Sequence, residues 1–109
     1  MSLQTMEQQI ALKAIEISKK CNEDQARYYK RMPALIVSCG LLQTLAFIRT
    51  KNDKKIDGRR LVEDLLKNMS KPAKDFPELL ANADTLRSAT VEIMSLLQWI
   101  NRFNDAKEK

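Results

Sequence analysis

The constraint that most limits how this chain can fold is an unbroken apolar stripe near its end. Leu86, Thr90, Ile93, Leu97 and Ile100 recur at heptad-like spacing, and Ala89, Leu96 and Phe103 widen the stripe. A stripe that broad belongs to a helix packed on two or more neighbours. The spacing predicts a last helix over about Asp84–Asp105, the longest in the chain. With 44% apolar residues, two glycines, three prolines and no useful strand-like alternation, the chain reads as all-α. Its 109 residues form one domain, residues 1–109, a compact bundle of about five to seven helices with a long C-terminal one.

Upstream, Thr5 and Gln8 match a capping box that opens a first helix. Met6, Ile10, Ala14, Ile17 and Cys21 mark its inner face, opposite Lys13, Glu16 and Lys20. Asn22–Asp24 caps a second helix over about Gln25–Met32. Pro33 lacks an amide donor and clashes with the preceding turn, so a kink or break is expected at Arg31–Pro33, then a short helix over about Ala34–Ser38. Gly40 permits a second bend or a close approach. Leu41–Thr50 follows, apolar over much of its circumference, and is expected to be the central element of the core. Asn52-Asp53 and Asp57-Gly58 are turn signals in a loop over Arg49–Arg60, which carries six basic and two acidic residues. A helix over about Arg59–Met69, capped by Asp57, buries Leu61, Val62, Leu65, Leu66 and Met69. Pro77 opens a short helix that ends near Asn82.

The chemistry available is narrow. There is no histidine, which removes His-based acid–base catalysis, catalytic triads and most zinc sites. Cys21 and Cys39 form no CxxC and read as two partly buried thiols in a reducing compartment. No Gly-rich phosphate loop or metal-ligand spacing is present, so neither an enzyme, a metal nor a cofactor is expected. Glu23 with Asp24 and Glu63 with Asp64 read as surface charge or caps. Met1–Leu12 lacks the apolar core of a signal peptide, and Pro33–Ile48 is too short and polar for the ~20-residue span a membrane requires. The expected location is cytoplasmic, with no membrane partner.

Net charge is +5, which suits a polyanionic partner. The basic groups are spread over several elements: Arg27, Lys30, Arg31; Lys51, Lys54, Lys55, Arg59, Arg60; Lys67, Lys71, Lys74; and Arg102, Lys107, Lys109. Such a stripe suits a phosphate backbone bound without sequence preference, and it equally suits a solvated face. Tyr28 and Tyr29 interleave with Arg27, Lys30 and Arg31. One of the two must face inward, which leaves at most one free to stack on a base. Trp99 next to Arg102 fits base stacking, but Trp at helical spacing with leucines is more often core. Glu92 shares a face with Ser88, Ser95, Trp99 and Arg102 and reads as a structural hydrogen bond or ion pair to another helix.

Two blocks carry a resemblance. In the first, Lys30-Arg31 precede Pro33-Ala34-Leu35-Ile36, Gly40-Leu41, Gln43, Leu45-Ala46-Phe47 and Lys51. In the second, Ala89-Thr90 and Glu92 precede Leu96-Leu97, Trp99-Ile100 and Arg102-Phe103. Together they resemble the small subunit of the type III-B CRISPR complex, the RNA-guided RNA-silencing Cmr assembly of antiviral defence. Leu42 departs from it, standing where the family often has a small residue. The resemblance implies an all-helical, non-catalytic subunit. Copies of it would stack along a filament beside the backbone subunits and the large subunit, and help form the channel for crRNA and target RNA. It implies that Lys30, Arg31, Lys51 and Arg102 face RNA, to which Arg27, Lys54 and Lys55 add as candidates from the basic pattern. It gives Pro33, Gly40, Thr90, Glu92 and Trp99 structural parts, and the matching apolar residues, Phe47 among them, places in the core. Apart from the resemblance, the alternative is a basic helical protein–protein interaction module that never touches nucleic acid.

Overall fold

A computed structural model describes residues 6–52, 56–69, 73, 75–81 and 83–107. Among these the chain forms six helices and no named strand: α1 (Met6–Lys19), α2 (Glu23–Cys39), α3 (Leu41–Arg49), α4 (Gly58–Lys67), α5 (Phe76–Ala81) and α6 (Ala83–Lys107). The stripe on α6 does what its width requires. Ala89, Ile93, Leu96, Leu97 and Ile100 are buried, and the helix packs against α1, α2 and α5. Ala14 and Ile17 of α1 and Leu61, Val62, Leu65 and Leu66 of α4, with Met69 just beyond it, complete the core as their spacing predicts. The predicted cap at Thr5 lies outside the described residues.

The main departure is α2. It runs unbroken for 17 residues with Pro33 inside it, where a kink or break was expected. Proline at position 33 cannot donate to the Tyr29 carbonyl one turn back. That carbonyl instead accepts from Asn101 Nδ2 of α6 at 3.2 Å. The interior proline is tolerated because a side chain 72 residues away supplies the missing donor. The start of α2 follows its local signal. Asn22 and Gln25 form a reciprocal capping box, at 2.8 and 2.9 Å.

The chain turns at Gly40, whose φ of 89° lies in the region that favours glycine. A Cβ there would meet nothing within 4 Å, so the bend and not a close approach requires the glycine. Its amide closes α2 by donating to the Ile36 carbonyl at 2.8 Å, and its carbonyl opens α3 by accepting from Thr44 Oγ1 at 2.9 Å. The close approach occurs instead at Gly58. There the amide donates to the Lys51 carbonyl at 2.6 Å, and a Cβ would collide with the Ile48 carbonyl oxygen. Together with the isolated bridge between Asn52 and Asp57, this pins the basic loop shut at its base. Asp57 caps α4 by accepting from the Arg60 amide at 3.4 Å.

Helix α3 is not the central element of the core. It packs on α2 and α4 and buries Leu41, Thr44, Leu45 and Ile48, but Ala46 and Phe47 are exposed. The hub is α6. It also closes the end of α1, where Lys107 Nζ donates to the Ser18 carbonyl and, at 3.5 Å, to that of Cys21. Ile10 lies against Glu92, Ile93 and Leu96, so α1 and α6 run parallel.

Two outcomes test this arrangement. Asn101→Ala strands the Tyr29 carbonyl and should cost about 1–3 kcal/mol. In a domain of this size that lowers the melting temperature by about 4–8 °C per kcal/mol. In a Pro33→Ala background residue 33 regains its amide, so the same substitution should cost less than half as much, and a double-mutant cycle by urea denaturation reads the difference. The second outcome concerns Tyr29, whose ring is fully buried. Burial first, then the charges of Cys21 and Asp64, push its hydroxyl above the ordinary tyrosine range, against a smaller opposing pull from Arg60. The folded pKa is raised, so the neutral phenol's contribution is full below the unfolded value of about 10 and is lost as pH climbs beyond it. Urea midpoints measured from pH 8 to 11 should fall more steeply for the native chain than for Tyr29→Phe.

Candidate nucleic-acid interface

The second helix is one rod, so Arg27, Lys30 and Arg31 lie on the outward side of a single element, opposite buried Tyr29, Met32 and Ile36. Their surroundings differ. Arg27 pairs with Asp24 at 3.9 Å, one turn earlier. Lys30 reaches across to Asp105 of α6 at 3.2 Å. Arg31 is exposed and forms no ion pair among the described residues. On α6, Arg102 is likewise exposed and unpaired among them, next in sequence to the Asn101 that holds α2.

Between α2 and α6 lies an open cleft of about 300 Å³, rimmed by Arg27, Lys30 and Asn101 and by the acidic Glu23 and Asp105. Its mixed charge makes it a poor cradle for a bare phosphate. Asn104 lines it but keeps its amide buried, with no hydrogen-bond partner of ordinary geometry among the described residues. Burial pushes the Cys21 thiol above its ordinary range, against smaller downward pulls from the Asn104 amide and the Lys107 charge. The thiol donates to the Ile17 carbonyl at 3.3 Å, so Cys21 is a packed, protonated group. Cys39, expected to be partly buried, is exposed at the end of α2; both cysteines are free.

Lys51 ends the α3 segment. Its Nζ sits over the Phe47 ring, 4.4 Å from the centroid. Phe47 was expected in the core and is half-exposed, because α3 turns a different face, that of Leu41, Leu45 and Ile48, inward. Lys54 and Lys55 lie outside the described residues, as do Lys71 and Lys74. Arg59 and Arg60 are exposed on the first turn of α4.

The aromatic candidates divide. Tyr29 faces inward, and Tyr28 is only partly exposed. Trp99 is half-buried against the core and stacked on Phe103, with centroids 5.7 Å apart. It is therefore a boundary residue, neither sealed in the core nor offered to solvent as a free platform. Thr90 donates back to the Leu86 carbonyl at 2.9 Å within its own helix, and Glu92 is half-buried beside Lys13 and Asn68. Of the candidate cations, Arg27, Lys30, Arg31 and Arg102 are exposed and Lys51 is half-buried. Sequence reasoning missed that Lys30 is tied to Asp105 and that the exposed aromatic ring next to a cation is Phe47.

No described helix is long and apolar enough to cross a membrane, and no group of three or more potential metal-ligating side chains occurs among the described residues. Neither curated proteins nor solved structures give a match to the chain. A family comparison does: residues 4–107 match the family described as CRISPR-associated protein (Cas_Cmr5). That span covers almost the whole sequence and takes in both motif blocks. The chain thus belongs to the CRISPR-associated Cmr5 family, the small subunits of the type III-B Cmr complex.

Proposed function

We propose that this subunit acts without catalysis of its own, stacking in several copies along the Cmr filament in the cytoplasm and lining the channel that holds crRNA and target RNA in antiviral defence. Its partners in this reading are the backbone subunits, the large subunit and further copies of itself. The observation that carries the RNA side of the proposal is the pair of exposed arginines, Arg31 on α2 and Arg102 on α6, with no ion pair to any described residue. These two cations have no carboxylate to displace before meeting a phosphate. Lys30 and Arg27 are second choices, since each must first leave an acid. Contact through such groups is independent of base sequence and strongly dependent on salt. Stacked copies would multiply a weak individual affinity.

Arg31→Ala with Arg102→Ala should leave stability within about 0.5 kcal/mol, because both side chains are exposed. If both contact phosphates, the slope of log affinity against log salt on single-stranded RNA should fall by roughly 1.4, about 0.7 for each contact. The complex assembled without this subunit should engage target RNA less tightly than the full complex. Equal engagement by the two assemblies would sink the channel role, and an unchanged salt slope would return the arginines to a solvated face.

A further inference from the structure

Phe47 has no task in the core. Helix α3 is nine residues long and turns Leu41, Leu45 and Ile48 inward, leaving the Phe47 ring 48% exposed. One cation already marks it: Lys51 Nζ stands 4.4 Å from the ring centroid, within the range where ammonium and ring attract. The loop that follows is drawn back onto the end of α3 by the hydrogen bond from the Gly58 amide to the Lys51 carbonyl, 2.6 Å, and by the bridge between Asn52 and Asp57. Gly58 itself lies against the Ile48 and Lys51 carbonyls, so the exposed Arg59 and Arg60 begin one residue beyond that contact. Asp57, two residues before Arg59, is engaged as the cap of α4, and Asp53 lies outside the described residues. The result is an exposed aromatic ring on a basic end of the bundle.

We propose that Phe47 and Lys51 form a stacking site for an unpaired base of single-stranded RNA, the ring taking the base and Lys51 a flanking phosphate, with Arg59 and Arg60, which follow Gly58 at the start of α4, available to the strand beyond it. This rests on the RNA-lining role proposed above and adds a second contact, distinct from Arg31 and Arg102. The chemistry selects the ligand. A phosphate backbone alone needs the cations and not the ring, and an acidic peptide needs the same. An apolar protein surface would use the ring but would have to desolvate the cations around it. A nucleotide uses both, and every base offers a π face, so the site is tolerant of sequence.

The test titrates the full chain with a fluorescently labelled oligouridine and with an abasic oligomer of equal length, which keeps the phosphates and lacks the bases. The native chain should prefer oligouridine by about fivefold or more, the size of one base–aromatic stack. Phe47→Ala should abolish that preference with an unchanged salt slope and melting temperature, Phe47→Trp should keep it, and Lys51→Ala should lower the salt slope by roughly 0.7. A Phe47→Ala chain that retains the native preference for bases overturns the site, as does a native chain with no preference. Loss of incorporation into the complex, with RNA binding intact, assigns the ring to a protein neighbour and also overturns it. If the Arg31 and Arg102 substitutions lower the salt slope while Phe47→Ala changes nothing, the RNA role survives and the stacking site alone fails. A native chain that binds neither oligomer removes both.

Discussion

The arrangement of the bundle depends on a backbone carbonyl that its own helix cannot satisfy. Pro33 deprives the Tyr29 carbonyl of its amide partner, and Asn101 of α6 supplies one. A buried carbonyl left without a donor would cost about as much as a lost hydrogen bond, a sizeable part of a small domain's stability. The contact therefore does more than join two helices. It sets the register of α2 against α6 and lets α2 continue as a single rod, so Arg27, Lys30 and Arg31 share a face. Helix α6 also reaches the end of α1. The Ser18 carbonyl there already accepts from the Cys21 amide at 3.2 Å, and Lys107, near the end of α6, adds a second donor to it and, at 3.5 Å, one to the Cys21 carbonyl in the turn that follows. Helix α6 is thus both the apolar hub and a source of polar side chains that reach its neighbours' backbone carbonyls.

This division explains what the sequence could and could not disclose. Apolar periodicity is local, so the inner faces of α1, α4 and α6 are legible in Ala14, Ile17, Leu61, Val62, Leu65, Ile93 and Leu97, all buried. Caps are local too, and Asn22 and Asp57 sit where their side chains predict. Pro33 misleads because its remedy comes from a residue distant in the chain. Gly40 reads as a bend or a close approach, and Gly58 as part of a turn. Only three-dimensional proximity shows that the first bends the chain through a positive φ, whereas the second yields space to the Ile48 and Lys51 carbonyls. Helix α3 misleads for another reason. A short helix that is apolar nearly all round looks fully buried, yet its neighbours α2 and α4 cover only part of it and leave Phe47 outside.

The candidate site shows the same limit in electrostatic form. That the cations face outward follows from helical phase. Which of them are unpaired does not, because the partner of Lys30 lies 75 residues away, whereas the pairing of Arg27 with Asp24 is a neighbourly i,i+3 contact that spacing could have disclosed. Family membership, carried by the two motif blocks, was legible in the residues themselves. Geometry adds a ranking within the basic set that no motif contains, with Arg31 and Arg102 ahead of Lys30 and Arg27.

The ion pairs do not withdraw their cations from service. The Lys30 and Asp105 side chains are 65% and 54% exposed, so their attraction is screened by water and salt. Pairs of this kind contribute at most about 1 kcal/mol, and often nothing measurable. A polyphosphate strand offers Lys30 several closely spaced negative charges in place of one carboxylate and releases condensed counterions as it binds. Exchanging Asp105 for a phosphate is therefore nearly neutral in direct energy and favourable through those counterions. The exchange frees Asp105, however, to repel the same strand, a penalty that Arg31 and Arg102 do not incur. On the proposed RNA role the two arginines would therefore meet a backbone without this penalty, whereas Lys30 would contribute only where counterion release outweighs the exposed acid beside it.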